Sequence, residues 1–187
     1  MIKDELNIQL KNFINRLKRY WQIFFALSLI IYGVSLYHFF RNLSVSGMGA
    51  GTGKFIHTLD NLSFAIAIIL AFLIFHLKRK YFSGKKSREL IINLLKKDQQ
   101  PSGQDILKHV FSNLERKLYL IWFMGFLIVL DGVVLYWITH LDRNMHIYFV
   151  IGSFSLLLNY PRKVLFEDLL WQVRQTKKEF SEKAGDE

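Results

Sequence analysis

Cysteine is absent from this 187-residue chain. Disulfides, thiolate metal sites and cysteine nucleophiles are excluded together, because each needs the sulfur. Proline occurs twice. Pro101 belongs to a turn signal with Gly103, and Pro161 is placed to bend or end the last apolar run, since it has no amide N–H to give a helix. Lysine and arginine are missing from four long apolar stretches, residues 21–40, 62–77, 118–139 and 145–160. Acidic residues are nearly missing there too: Asp131 stands alone. Clustered carboxylates, histidine motifs or a Ser–His pair are the usual traces of a membrane enzyme. None is present, so no catalytic constellation and no enzyme is expected.

What remains is apolar sequence cut by basic sequence. A bilayer core takes about 20 apolar residues per helical span, with about 17–25 the common range. Stretches 21–40 and 118–139 meet this outright. Stretches 62–77 and 145–160 need interfacial flanks or a thinned bilayer. The formal charge is +10, and of 25 Lys and Arg only Arg41, Lys54 and Arg143 fall in the first and third loops. Loops rich in Lys and Arg stay on the cytoplasmic side, whereas acidic residues count for little. Both termini and the 78–117 loop are therefore expected inside, at a plasma or inner membrane. The basic surface suits anionic inner-leaflet lipids, which leaves no need for a nucleic-acid partner. The first span follows a basic segment as a signal peptide would, but its length and lack of a small-residue cleavage site make it a retained anchor.

The expected fold is all-α: a polytopic bundle of four transmembrane helices in one integral membrane domain, 1–187, with cytoplasmic amphipathic helices. Residues 2–19 place Ile2, Leu6, Leu10, Phe13, Ile14 and Leu17 at spacings of three and four. Such a helix either lies in the headgroup region, apolar face down, or packs on the protein's own inner side. Tyr20 and Trp21 mark the inner water boundary and Tyr37 the outer one. The loop 41–61 is glycine-rich, and its Lys54 invites a phosphate-loop interpretation. That motif requires Gly six residues before the lysine and Ser or Thr after it; Met48 and Phe55 stand there instead. A flexible connector, or a small-residue segment dipping into the membrane, are the alternatives. Residues 88–97 suggest a short basic helix, 98–103 a turn, and 161–187 a basic amphipathic tail.

Spans one and three match at an offset of 99, through Tyr20/Tyr119, Phe24/Phe123, Gly33-Val34/Gly132-Val133 and Leu36-Tyr37/Leu135-Tyr136. Spans two and four share a basic exit at an offset of 83, Arg79-Lys80 against Arg162-Lys163. The chain thus suggests a 2+2 parallel repeat about an axis along the membrane normal. Ala26 with Gly33, and Gly125 with Gly132, lie seven residues apart and so on one face each. Small residues let helices approach closely in lipid, so these four are expected to form the tightest seam.

Asp131 is the leading functional candidate, because a carboxyl at that depth is costly and usually has a role. With no cation at membrane depth it is expected to be protonated and hydrogen-bonded, with Ser28, Ser35, Ser153 or Tyr32 as partner, or to face water. His38, His140 and His146 end the spans on the outer side, with His57 in the outer loop, and are weak candidates for metal or haem. Sites at the rim do not suit haem between helices, so no cofactor is expected. The leading function is a non-enzymatic membrane protein that binds another membrane component, as an accessory, assembly, regulatory or immunity-type protein. An oligomeric channel or transporter using Asp131 for protons or cations is the alternative, and a haem- or metal-binding anchor the third. Partners are then the bilayer and a second membrane protein or another copy.

Overall fold

A computed structural model describes residues 2–42, 53–82, 92, 103–140, 142–163, 166, 171 and 175. The described chain is all-helical, with α1 at Ile2–Asn42, α2 at Gly53–Tyr81, α3 at Gly103–Thr139 and α4 at Asp142–Leu158. Residues 43–52 of the glycine-rich loop, 98–102 of the turn, and nearly all of the 88–97 helix and the tail beyond 163 lie outside the described residues, whereas 53–61, expected as loop, are helical and form the start of α2. Three helices carry windows long and apolar enough to cross a membrane, within Ile8–Arg41, Gly53–Tyr81 and Lys108–Thr139, at mean hydropathies of 1.9, 2.1 and 2.3. At 1.5 Å per residue, the 41 residues of α1 span about 60 Å and the 37 of α3 about 55 Å, against about 30 Å of hydrocarbon. Each is longer than one membrane crossing requires. The 17 residues of α4 reach about 25 Å.

The chain forms two compact units. One comprises Met1–Tyr20, His76–Tyr119 and Tyr160–Glu187, and the other Trp21–Phe75 and Leu120–Asn159. In the first unit the start of α1 packs on the start of α3. Leu10, Phe13, Ile14 and Leu17 are buried with Val110, Phe111, Leu114 and Leu118. Phe13 stacks on Phe111 at 4.3 Å and meets the edge of Phe166 at 5.5 Å. The apolar face of residues 8–19 is thus covered by protein. Arg16 pairs with Glu115 at 2.7 Å, and Glu115 also accepts from Tyr119 at 2.8 Å.

In the second unit α3 is the central helix. Half of its apolar window is buried, against 11% for α1 and 17% for α2. Its buried residues Ile121, Gly125, Ile128, Gly132 and Leu135 alternate steps of four and three, the spacing of left-handed helix pairs. On α1 the buried face of this unit runs through Trp21, Ser28 and Ser35, seven apart. At the other end of α3, His140 takes a left-handed conformation (φ 57°) and its N–H reaches the Tyr136 carbonyl at 2.7 Å. That is the turn that ends many helices, and it lets α4 begin at Asp142, whose carboxylate suits a helix N-terminus. Val133, Tyr136 and Met145 close this end with Ile31, Tyr32, Leu36 and Phe39 around them.

Candidate functional site

The α3–α4 contact is made by glycines. A Cβ on Gly152 would lie 2.5 Å from Val129 Cγ2 and 2.7 Å from the Gly125 carbonyl oxygen, and one on Gly132 would collide with Tyr148. A Cβ on Gly125 would meet Leu156 at 3.2 Å. Gly125 and Gly132 therefore belong to a tight seam, but their partner is α4 through Gly152. Ala26 and Gly33 do not join it: both are exposed, and nothing lies within 4 Å of a Cβ built on Gly33. The expected four-residue seam is corrected in its α1 half. The heptad face that α1 buries here carries Trp21, Ser28 and Ser35, and the face with Ala26 and Gly33 points outward.

Close approach of α4 brings Tyr148 beside Asp131 and positions a polar group across three helices. Ser63 of α2 donates to Asp131 Oδ2 at 2.6 Å. Asn144 of α4 donates to Asp60 Oδ1 of α2 at 2.6 Å. The buried Tyr148 packs against Gly132, the residue after Asp131. Asp60 and Ser63 are three apart on α2, hence on one face. Asp131 is partly exposed, and no described Lys or Arg pairs with it or with Asp60. An unpaired carboxyl at membrane depth is costly unless it is hydrogen-bonded or protonated, and Ser63 supplies that bond.

None of the four partners expected for Asp131 takes that place. Ser28 and Ser35 bond back to the carbonyls of Phe24 and Ile31 at 2.9 and 3.0 Å, and Ser35 also accepts from Trp137 Nε1 at 3.0 Å. Tyr32 pairs with His146 Nδ1 at 2.8 Å and stacks on Phe149 at 3.8 Å. Ser153 Oγ is buried without a partner. Ser63 and Asp60 went unnoticed in the sequence because Asp60 falls before the second apolar stretch and Ser63 at its edge. The start of α2 at Gly53 draws both into the bundle, and their spacing of three was the available signal.

The histidines sit in an aromatic setting. His38 stacks on Trp137 at 4.4 Å and lies 3.4 Å from the Tyr136 hydroxyl. His140 meets Tyr136 edge-on at 6.3 Å, and His146 is held by Tyr32. Among the described residues, no group of three or more His, Asp or Glu is arranged to hold a metal ion.

At its far end α4 stops short, and its last carbonyls need donors. Trp21 Nε1 donates to the Leu156 carbonyl at 2.8 Å and Trp122 Nε1 to the Asn159 carbonyl at 2.9 Å. The Asn159 side chain takes the Ser155 carbonyl at 2.8 Å. The last four carbonyls of a helix lack partners within it, and lipid offers none. The indole of Trp21 turns inward to this work, although its sequence position suggested a water boundary. No known protein family, curated protein or solved structure matches the chain.

Proposed function

We propose that this is a four-span, non-enzymatic integral membrane protein of a plasma or inner membrane, with both termini cytoplasmic, that works by binding another membrane protein. The observation that carries this is how little of α2 the chain itself covers. Ser63, Ala67 and Ile74 form a narrow buried stripe, while Phe64, Ile68, Ile69 and Phe75 are exposed around it. Lipid tails are as apolar as these side chains, so helix association in a bilayer relies on packing and polar contacts. A helix attached by one narrow stripe keeps most of its circumference for a neighbour. The α4 helix, apolar and about 25 Å long, completes the fourth span with Asn159 and Tyr160 as its flank.

Two facts bear on the 2+2 plan. In each unit α1 meets α3 at a nearly constant sequence separation, as in Phe13/Phe111, Tyr20/Tyr119 and His38/Tyr136, which supports parallel packing. The pairs Ser63–Asp131 and His146–Tyr32 also correspond to each other at offsets of 83 and 99. Gly33 and its counterpart Gly132 differ, one exposed and one buried.

A photoreactive residue at Ile68, in native membranes, tests the partner. It is expected to yield one abundant protein adduct, and the same label at the buried Ala67 none. Lipid adducts alone at Ile68 would refute the proposal. The polar group favours a second function, passage of protons or cations by an oligomer, because carboxyls of two helices are hydrogen-bonded within one group and no described Lys or Arg pairs with either. Proteoliposome flux that Asp131→Asn abolishes would establish it, and absence of flux in the wild type would remove it.

A further inference from the structure

Each of four segments brings one tyrosine to the first unit: Tyr20 from α1, Tyr81 from α2, Tyr119 from α3, and Tyr160 just after α4. A Lys or Arg lies within two residues of every one. The rings and cations touch. Lys117 Nζ lies 4.5 Å from the centre of the Tyr81 ring and Lys80 Nζ 5.5 Å from it, so one ring gathers two ammonium groups from two helices. Lys18 Nζ lies 5.9 Å from the Tyr160 ring, and Tyr20 meets Tyr119 edge-on at 4.8 Å. A ring attracts each ammonium, yet it neutralises neither charge. The nearby Glu115 carboxylate is bonded to Arg16 and Tyr119. Two like charges held on one ring, beside a tyrosine level of the kind found at membrane–water boundaries, form a seat for an anion.

We infer that Lys80, Tyr81 and Lys117 bind the phosphate headgroup of an anionic phospholipid in the inner leaflet, with Lys18 and Tyr160 as a second contact on the same belt. The inference rests on the membrane placement with this unit inside, and goes beyond it by naming a lipid class and a site. The two ammonium groups take the phosphate oxygens as point charges. The Tyr81 ring, partly exposed at the end of α2, fixes the direction in which they present. A zwitterionic headgroup brings its own ammonium and would be disfavoured.

The test uses the full chain in nanodiscs of phosphatidylcholine with a minor share of phosphatidylglycerol, with lipids retained on the protein counted by native mass spectrometry. Wild type is expected to retain phosphatidylglycerol preferentially. Near a membrane each lysine contributes about fivefold in affinity for anionic lipid, so Lys80→Gln with Lys117→Gln should lower retention roughly 30-fold. Lys54→Gln with Arg143→Gln removes the same charge from the other unit and should leave retention unchanged. Equal losses in the two double variants, or none in the first, would overturn the site. So would displacement of the lipid by millimolar inorganic phosphate, which would make the ligand a soluble anion. A protein that inserts in the disc but retains no particular lipid sinks this inference alone, whereas one that fails to insert sinks the membrane placement as well.

Discussion

Glycines of similar appearance in the sequence have opposite duties in the structure. Gly152 lies against Val129 and the Gly125 carbonyl, and the backbone oxygen there cannot rotate away. Gly152→Ala must push α3 and α4 apart, a change that costs typically about 1–3 kcal/mol. Gly33→Ala meets open space and should instead stabilise by about 0.5–1 kcal/mol, since glycine is a poor helix former. Unfolding in mixed micelles, followed by circular dichroism, should show the two substitutions moving stability in opposite directions. At Asp131 the sequence did reveal an unusual carboxyl but not its partner, because a serine at the edge of a span carries no mark of what it faces. Ser63→Ala and Asp131→Ala, each of which removes the bond, should show a coupling of about 0.6 kcal/mol in a double-mutant cycle, the average for interhelical hydrogen bonds in membranes. Zero coupling would mean that the 2.6 Å contact contributes nothing net.

The beginning of α1 was legible as an amphipathic helix, and its periodicity showed which face is buried. There the periodicity contrasts apolar with charged residues, and Leu10, Phe13, Ile14 and Leu17 are indeed the covered ones. Within the apolar stretches that contrast vanishes, since lipid and protein interior accept the same side chains. The inward face of α1 is marked by Trp21, Ser28 and Ser35, residues that hydropathy alone does not single out. The short α4 depends on its neighbours in a specific way. Trp21→Phe and Trp122→Phe each withdraw one indole N–H from its final turn, and each should cost about 1 kcal/mol. Hydrogen exchange over residues 150–163 should report this as faster exchange at the Asn159 amide, which bonds the Leu156 carbonyl at 3.2 Å. Exchange unchanged in both variants would show that α4 ends without needing its indole donors.

At the scale of the whole molecule, the absence of cysteine makes the proposed orientation directly measurable. Single substitutions Ser46→Cys and Ser102→Cys add one thiol on either side of the expected membrane. An impermeant maleimide should label the first in intact cells and the second only after permeabilisation. The reverse pattern would invert the topology. The distribution of Lys and Arg, the four apolar stretches and the all-helical class were present in the chain itself, because insertion into a bilayer responds to local length, hydropathy and charge. Which faces meet was decided by the tertiary structure. Gly152 admits α4 to α3, Asp60 and Ser63 enter with α2, and Trp21 turns inward to an orphan carbonyl. These pairings join residues far apart in sequence through shape and hydrogen bonds, and in a solvent as apolar as the protein interior no one-dimensional pattern encodes them.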